Sequence, residues 1–163
     1  MELIDRLARV TSGGQSGTAA DGALLLLRVT VGVGFVAHGL AKWGRGPERF
    51  GRLLAQLDVP FPVASAWAVT LLEVFGGIAL IVGVCVALAS VPLIASMLVA
   101  MFLVQWPYGF SSVNTIGLTP AGPVFGPPGY EINVLYVASL VALAILGPGR
   151  WSVAGARVRR RGA

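Results

Sequence analysis

Long runs of apolar residues, separated by short polar segments, dominate the pattern of this chain. Four such runs cover residues 23–41, 63–84, 87–106 and 132–146. About 20 helical residues, at about 1.5 Å rise each, cross the ~30 Å hydrocarbon core of a bilayer, where an unpaired backbone is not tolerated. The pattern therefore predicts an all-α, polytopic membrane protein, an antiparallel bundle of four transmembrane helices that forms one domain over residues 23–148.

The segments outside the apolar runs carry weaker signals. Residues 1–22 combine an amphipathic stretch with a Gly/Ser linker, and residues 149–163 form a basic tail. The segment between the first two apolar runs is the first outer loop. There Pro47 suits a first helical position and apolar residues recur at helical spacing, which predicts an interfacial helix. The second outer loop, residues 107–129, is uncharged, apolar and rich in Gly and Pro. We expect it to form a lid over the outer end of the bundle.

Charge is sparse and unevenly placed. The chain is 56% hydrophobic and 12% charged, with a formal net charge of +5. A soluble domain carries about 25% charged residues. Outside the apolar runs, seven basic residues lie on the face that holds both termini and four on the opposite face, which predicts that both termini are cytoplasmic. The basic tail directly follows the last apolar run, so membrane anchoring explains the positive charge better than nucleic-acid binding does.

Ionisable side chains within the apolar runs need an explanation, because such groups are costly at membrane depth. Glu73 lies about 15 Å from the outer surface, near the midplane, too deep to reach water. Its helical face also carries Gly76 and Gly77, small residues that allow close helix approach, so Glu73 is expected to face the bundle interior. His38, on a helix of opposite direction, lies at a similar depth, and Arg28 is the alternative partner of Glu73.

Each of these three residues also has a simpler explanation. Arg28 either extends to the inner head groups or forms a buried pair with Glu73. His38 either joins Glu73 in a proton relay or hydrogen-bonds to the outer loop. Glu73 is either a functional acid or a buried structural polar group.

A second group of polar and aromatic residues lies at the outer ends of the apolar runs. Lys42 is expected there as an interfacial anchor, and Glu131 suits the N-terminus of the fourth helix by its charge. Together these groups outline a polar pocket beneath the second outer loop. The predicted intramembrane site comprises Glu73, His38, Arg28, Lys42, Gln105 and Glu131, with Trp106, Tyr130 and Phe35 as candidates for stacking against a ligand.

The order and spacing of these residues resemble the DoxX family of small bacterial membrane proteins. The matching strings are Leu-Leu-Leu-Arg28, Ala-His-Gly39 followed by Lys42, Glu73-Val-Phe-Gly-Gly77, and Gly-Tyr-Glu131. The resemblance covers roughly residues 22–152. It implies a four-helix protein of the bacterial cytoplasmic (inner) membrane, with relatives linked to thiosulfate:quinone oxidoreductase or to thiol-redox partners. It assigns no chemistry to the matching positions.

Two functions remain open from the sequence, and with them the question whether the chain is an enzyme subunit. In the first, a redox-associated membrane subunit binds a quinone near the outer face and receives electrons from a partner protein. In the second, a non-enzymatic bundle transports or senses a small lipophilic ligand, or scaffolds another membrane complex. Cys85 is the only cysteine, which excludes an intramolecular disulfide, and no set of metal ligands is predicted.

Overall fold

The computed structural model of the chain describes residues 15–156. Its elements follow the apolar pattern closely, with one hairpin inserted before the last helix. In chain order they are α1 (Gln15–Arg45), α2 (Pro47–Gln56), α3 (Pro62–Val82), α4 (Val86–Ala100), β1 (Thr115–Thr119), β2 (Gly122–Phe125) and α5 (Glu131–Leu146). A π-helical turn, Met101–Gln105, and a 3-10 turn, Trp106–Tyr108, continue α4. The predicted N-terminal amphipathic stretch and most of the basic tail lie outside the described residues.

Three helices in the described part of the chain are long and apolar enough to cross a membrane. They cover Gly17–Arg45, Pro62–Val82 and Val86–Tyr108. The fourth apolar run forms α5, which is apolar but shorter. The four-span arrangement therefore stays a prediction, although the number and order of the apolar helices agree with it.

Helix α1 begins earlier than the sequence pattern predicted. Residues 15–22, expected to belong to a linker, are its first two turns. Asp21 in this segment is 7% exposed, and its Oδ1 accepts a hydrogen bond from the backbone N–H of Arg150 at 2.7 Å. The small and polar residues of this segment favour a flexible linker, but the contact with the segment after α5 holds them in the fold.

Glycines bring α1 and α3 unusually close together. A Cβ placed on Gly77 would lie 2.7 Å from the carbonyl oxygen of Gly32, and one on Gly39 would lie 2.7 Å from Val74 Cγ2. Glu73 and Gly76 are buried on the same face of α3, as are Gly77 and Leu80, which confirms that this face is turned inward. Because these glycines have no side chain, the backbones of α1 and α3 can approach each other closely.

The remaining helices close around one apolar core. Helix α3 packs against α4 after a tight turn at Gly83–Cys85, α4 packs against α5, and α5 returns to α1. Phe35, Leu80, Leu93 and Leu140 are among the core side chains and are at most 1% exposed. Helix α2, the helix predicted in the first outer loop, packs mainly against α3 and buries Gly51 and Leu54.

The second outer loop differs from the predicted lid, and it adds two short strands to a fold that is mostly helical, as predicted. It forms an antiparallel hairpin in which Thr119 pairs with Gly122 across two turn residues. Ile116 and Leu118 on β1 are 64% and 82% exposed, so the strands do not cover the helices. Hydrogen bonds between its two ends close the base of the loop, such as the one that the Gly129 N–H donates to the Ser111 carbonyl at 2.9 Å. Apolar composition alone did not distinguish a covering segment from an exposed one.

Candidate functional site

A partly open cavity of about 850 Å³ lies between the helices. All five helices, the π-helical turn after α4 and the base of the second outer loop contribute to its wall, which is predominantly apolar. The volume lies within the range of about 300–1,000 Å³ that is usual for small-molecule sites. Polar groups interrupt this apolar wall at a few positions, and these positions define the candidate site.

Lys42 and Glu73 form an ion pair in the cavity wall. The ammonium group of Lys42 donates to both carboxylate oxygens of Glu73, and Glu73 is only 2% exposed. The close approach of Gly39 to Val74 and Glu73 brings α1 beside the acid. Lys42 follows Gly39 by three residues, so both lie on the α1 face that meets α3. A buried acid with a cationic partner of this kind is held in one position.

This ion pair corrects two expectations from the sequence. Neither His38 nor Arg28 is the partner of Glu73, and Lys42, expected as an interfacial anchor, is turned inward instead. Lys42 lies on the same side of α1 as His38, and its long side chain leans back towards the N-terminus of α1, so the depth of its Cα did not indicate where its ammonium group lies. Lys42 also lies over the ring of Phe50 on α2, with Nζ 5.0 Å from the ring centroid.

His38 lies in the cavity wall but is exposed. Within residues 15–156 it has no hydrogen bond, neither to Glu73 nor to the outer loop. Its imidazole is therefore available to a ligand, and neither of the two contacts expected from the sequence is present.

Arg28 lies away from the cavity, at the C-terminal end of α3. Its guanidinium is 0% exposed and donates to the carbonyl oxygens of Leu80 and Ile81, both at 3.4 Å, and of Trp151 at 2.7 Å. A cation here meets the last carbonyls of α3 and the negative end of its helix dipole. Arg28 thus neither extends to head groups nor pairs with Glu73. Gly83 leaves the space that Arg28 occupies, because a Cβ at position 83 would overlap the guanidinium.

Two buried oxygens in the cavity wall have no hydrogen-bond partner among the described residues. They are Gln105 Oε1, on the π-helical turn, and Ser112 Oγ, at the base of the second outer loop. Buried polar atoms of folded proteins almost always have a hydrogen-bond partner in the protein, a water or a ligand, so these two oxygens need an explanation. π-Helical turns are frequent at functional sites.

The predicted aromatic and acidic residues near the loop divide into two groups. Phe35 is in the cavity wall and packs edge-on against Tyr136, with ring centroids 5.1 Å apart. Trp106 and Tyr130 stack on each other at 5.0 Å and do not line the cavity. Glu131 also lies outside the wall, where its Oε2 accepts the backbone N–H of Ser112 at 3.0 Å.

Sequence reasoning missed five polar residues of the wall, Ser65, Ser96, Ser112, Asn133 and Tyr136. Asn133 donates to the Met97 carbonyl at 3.3 Å, whereas Ser112 and Tyr136 line the cavity from the loop base and from α5. Asn133 had a usable signal, since an amide within an apolar run is unusual. Ser112 had none, because its position depends on how an irregular loop folds back. No group of three potential metal-ligating side chains occurs in the described part of the chain.

The helices, their length and their apolar surfaces define a helical membrane protein with an internal cavity. The family comparison agrees, since the family model described as DoxX matches residues 23–106, just over half of the chain. The chain belongs to the DoxX family. No curated protein and no solved structure was found to match it.

Proposed function

We propose that this DoxX protein binds a small lipophilic molecule inside the membrane, in the cavity between its helices. The observation that carries the proposal is a largely apolar cavity of about 850 Å³ whose wall holds the Lys42–Glu73 pair and the unpartnered oxygens of Gln105 and Ser112. An apolar wall with a few fixed polar groups is typical of sites that bind an apolar body and orient its polar end.

The same proposal includes a placement in the bacterial inner membrane. Four antiparallel spans, with α5 as the shortest, would put both termini in the cytoplasm and α2 at the outer interface, as the distribution of basic residues favours. The cavity then lies towards the outer side, because Lys42 is in the last turn of α1, Gln105 ends the π-helical turn that continues α4, and the second outer loop follows that turn. Such a position gives a ligand access from the outer leaflet.

A redox-associated role with a quinone is the second candidate. His38 favours it, because its unpaired imidazole shares the cavity wall with the Lys42–Glu73 pair, and both could hydrogen-bond to quinone oxygens. The geometry favours it less than general lipophile binding, since Trp106 and Tyr130, the expected ring-stacking residues, pack on each other. Electrons would have to come from a partner protein.

Mass spectrometry of co-purified small molecules tests the proposal. Ala100 lines the cavity and is half-buried, so Ala100→Phe should fill part of it, whereas Ala87→Phe at an exposed position of the same helix is the matched control. We expect the wild type and Ala87→Phe to retain a lipophilic compound that Ala100→Phe loses at least several-fold. Equal retention by all three proteins would refute binding in this cavity. A retained quinone would favour the redox candidate.

A further inference from the structure

A second recess, of about 510 Å³, lies beside the main cavity where α1 passes into α2. Three of its wall residues are basic, Lys42 and Arg45 in the last turn of α1 and Arg49 near the start of α2. The other three are Gly46, Phe50 and Leu53, so the wall of this recess has no acidic residue.

Two of the three basic side chains have no ion pair within residues 15–156. Arg45 and Arg49 are exposed, and neither donates a hydrogen bond from its side chain there. Lys42 is neutralised by Glu73. Glu48 accepts a hydrogen bond from Trp67 Nε1 at 3.1 Å, and its carboxylate lies near Gly46 without pairing with either arginine. The recess therefore offers two free guanidinium groups to an anion.

The recess and the cavity share part of their walls. Lys42, Phe50 and Leu53 line both, so the basic recess adjoins the apolar cavity. A molecule with a charged head and an apolar chain can place the head between Arg45 and Arg49 and the chain among the apolar side chains of the cavity. The basic recess does not favour a neutral head group, and the apolar cavity does not favour a wholly polar molecule.

We propose that the lipophilic ligand of this protein is an acidic amphiphile, with a phosphate or carboxylate head group held by Arg45 and Arg49. This inference rests on the proposed function and specifies the chemical class of its ligand. Guanidinium groups bind phosphate and carboxylate through paired hydrogen bonds, which suits them to such a head group. The proposal also accounts for a strongly basic outer loop, which runs against the usual excess of basic residues on the cytoplasmic side.

Binding measurements on the full-length protein in a neutral detergent test the proposal. The probes are dioleoyl phosphatidylglycerol, dioleoyl phosphatidylcholine, oleate and inorganic phosphate, each titrated against wild type, Arg45→Gln/Arg49→Gln and Arg52→Gln. Arg52 is the matched control, because it is an exposed arginine on α2 that lines neither the recess nor the cavity. Ala100→Phe provides the separate test of the cavity.

We expect phosphatidylglycerol and oleate to bind more tightly than phosphatidylcholine. The double variant should weaken their binding by about tenfold to thirtyfold, with Arg52→Gln unchanged, since each basic residue near an anionic lipid contributes a few-fold. Equal binding of phosphatidylcholine, an unaffected double variant, or equally tight binding of inorganic phosphate would each overturn the acidic amphiphile. If phosphatidylglycerol and phosphatidylcholine bind equally and Ala100→Phe binds neither, only this inference is overturned. Binding unchanged in Ala100→Phe would overturn the proposed function itself.

Discussion

Removal of Lys42 should destabilise the protein more than removal of its partner. Lys42→Met keeps most of the side-chain length but leaves the carboxylate of Glu73, 2% exposed, without a cation. Breaking a buried ion pair typically costs 3–5 kcal/mol, and about 3 kcal/mol is the appropriate figure here because the Lys42 side chain is 25% exposed. Glu73→Gln leaves an ammonium group that can turn towards water, so we expect a loss of about 1–2 kcal/mol.

A double-mutant cycle measures this asymmetry directly. Free energies of unfolding would be compared in mild detergent for wild type, Lys42→Met, Glu73→Gln and the double variant. The double variant should be more stable than Lys42→Met alone, because it no longer buries an unpaired carboxylate. Additive losses to within about 0.5 kcal/mol would refute the buried ion pair as an energetic unit.

Three further predictions follow from other parts of the fold. Gly77→Ala should lower the free energy of unfolding by about 1–3 kcal/mol and Gly76→Ala by less, because the added methyl group meets backbone in the first case and the flexible Leu93 side chain in the second. Arg28→Met should cost about 1–3 kcal/mol in the same assay by removing the hydrogen bonds that join α1 to the end of α3 and to the Trp151 carbonyl, and equal stability with wild type would contradict that role. In a cysteine-free background, Thr119→Cys should react with an impermeant maleimide in intact cells and Ala163→Cys only after lysis, whereas the reverse would contradict cytoplasmic termini.

The apolar pattern predicted most of the helical fold, because hydrophobic runs of membrane length leave few alternatives. The helix in the first outer loop was also found, since Pro47 and the spacing of Phe50, Leu53 and Leu54 are local signals. The hairpin was not found. Its strands are short and exposed, and Gly and Pro residues in a 23-residue segment are compatible with many loop conformations.

The candidate site was predicted less completely than the fold. Glu73 was expected to face inward, and its burial confirms this. Its orientation was predictable because its depth and the glycines on its helical face can be read from the sequence. The predicted partner was wrong. Lys42 follows His38 by four residues on the same side of α1, and its longer side chain, which leans back towards the N-terminus of α1, pairs with Glu73. Arg28 was assigned by depth alone, and the carbonyls it binds belong to the end of α3 and to Trp151, more than 50 residues away in the sequence.

The position of Arg28 has a consequence for the order in which the protein assembles. The residue enters the membrane with the first helix, yet its shortest hydrogen bond is to the carbonyl of Trp151, which follows it by 123 residues in the sequence. Until that segment arrives, the guanidinium must stay near water or head groups, because an unpaired cation is costly at membrane depth. Helix α1 therefore reaches its final depth only after Trp151 has been synthesised, and nascent chains that end before Trp151 should carry Arg28 in a position still accessible to water.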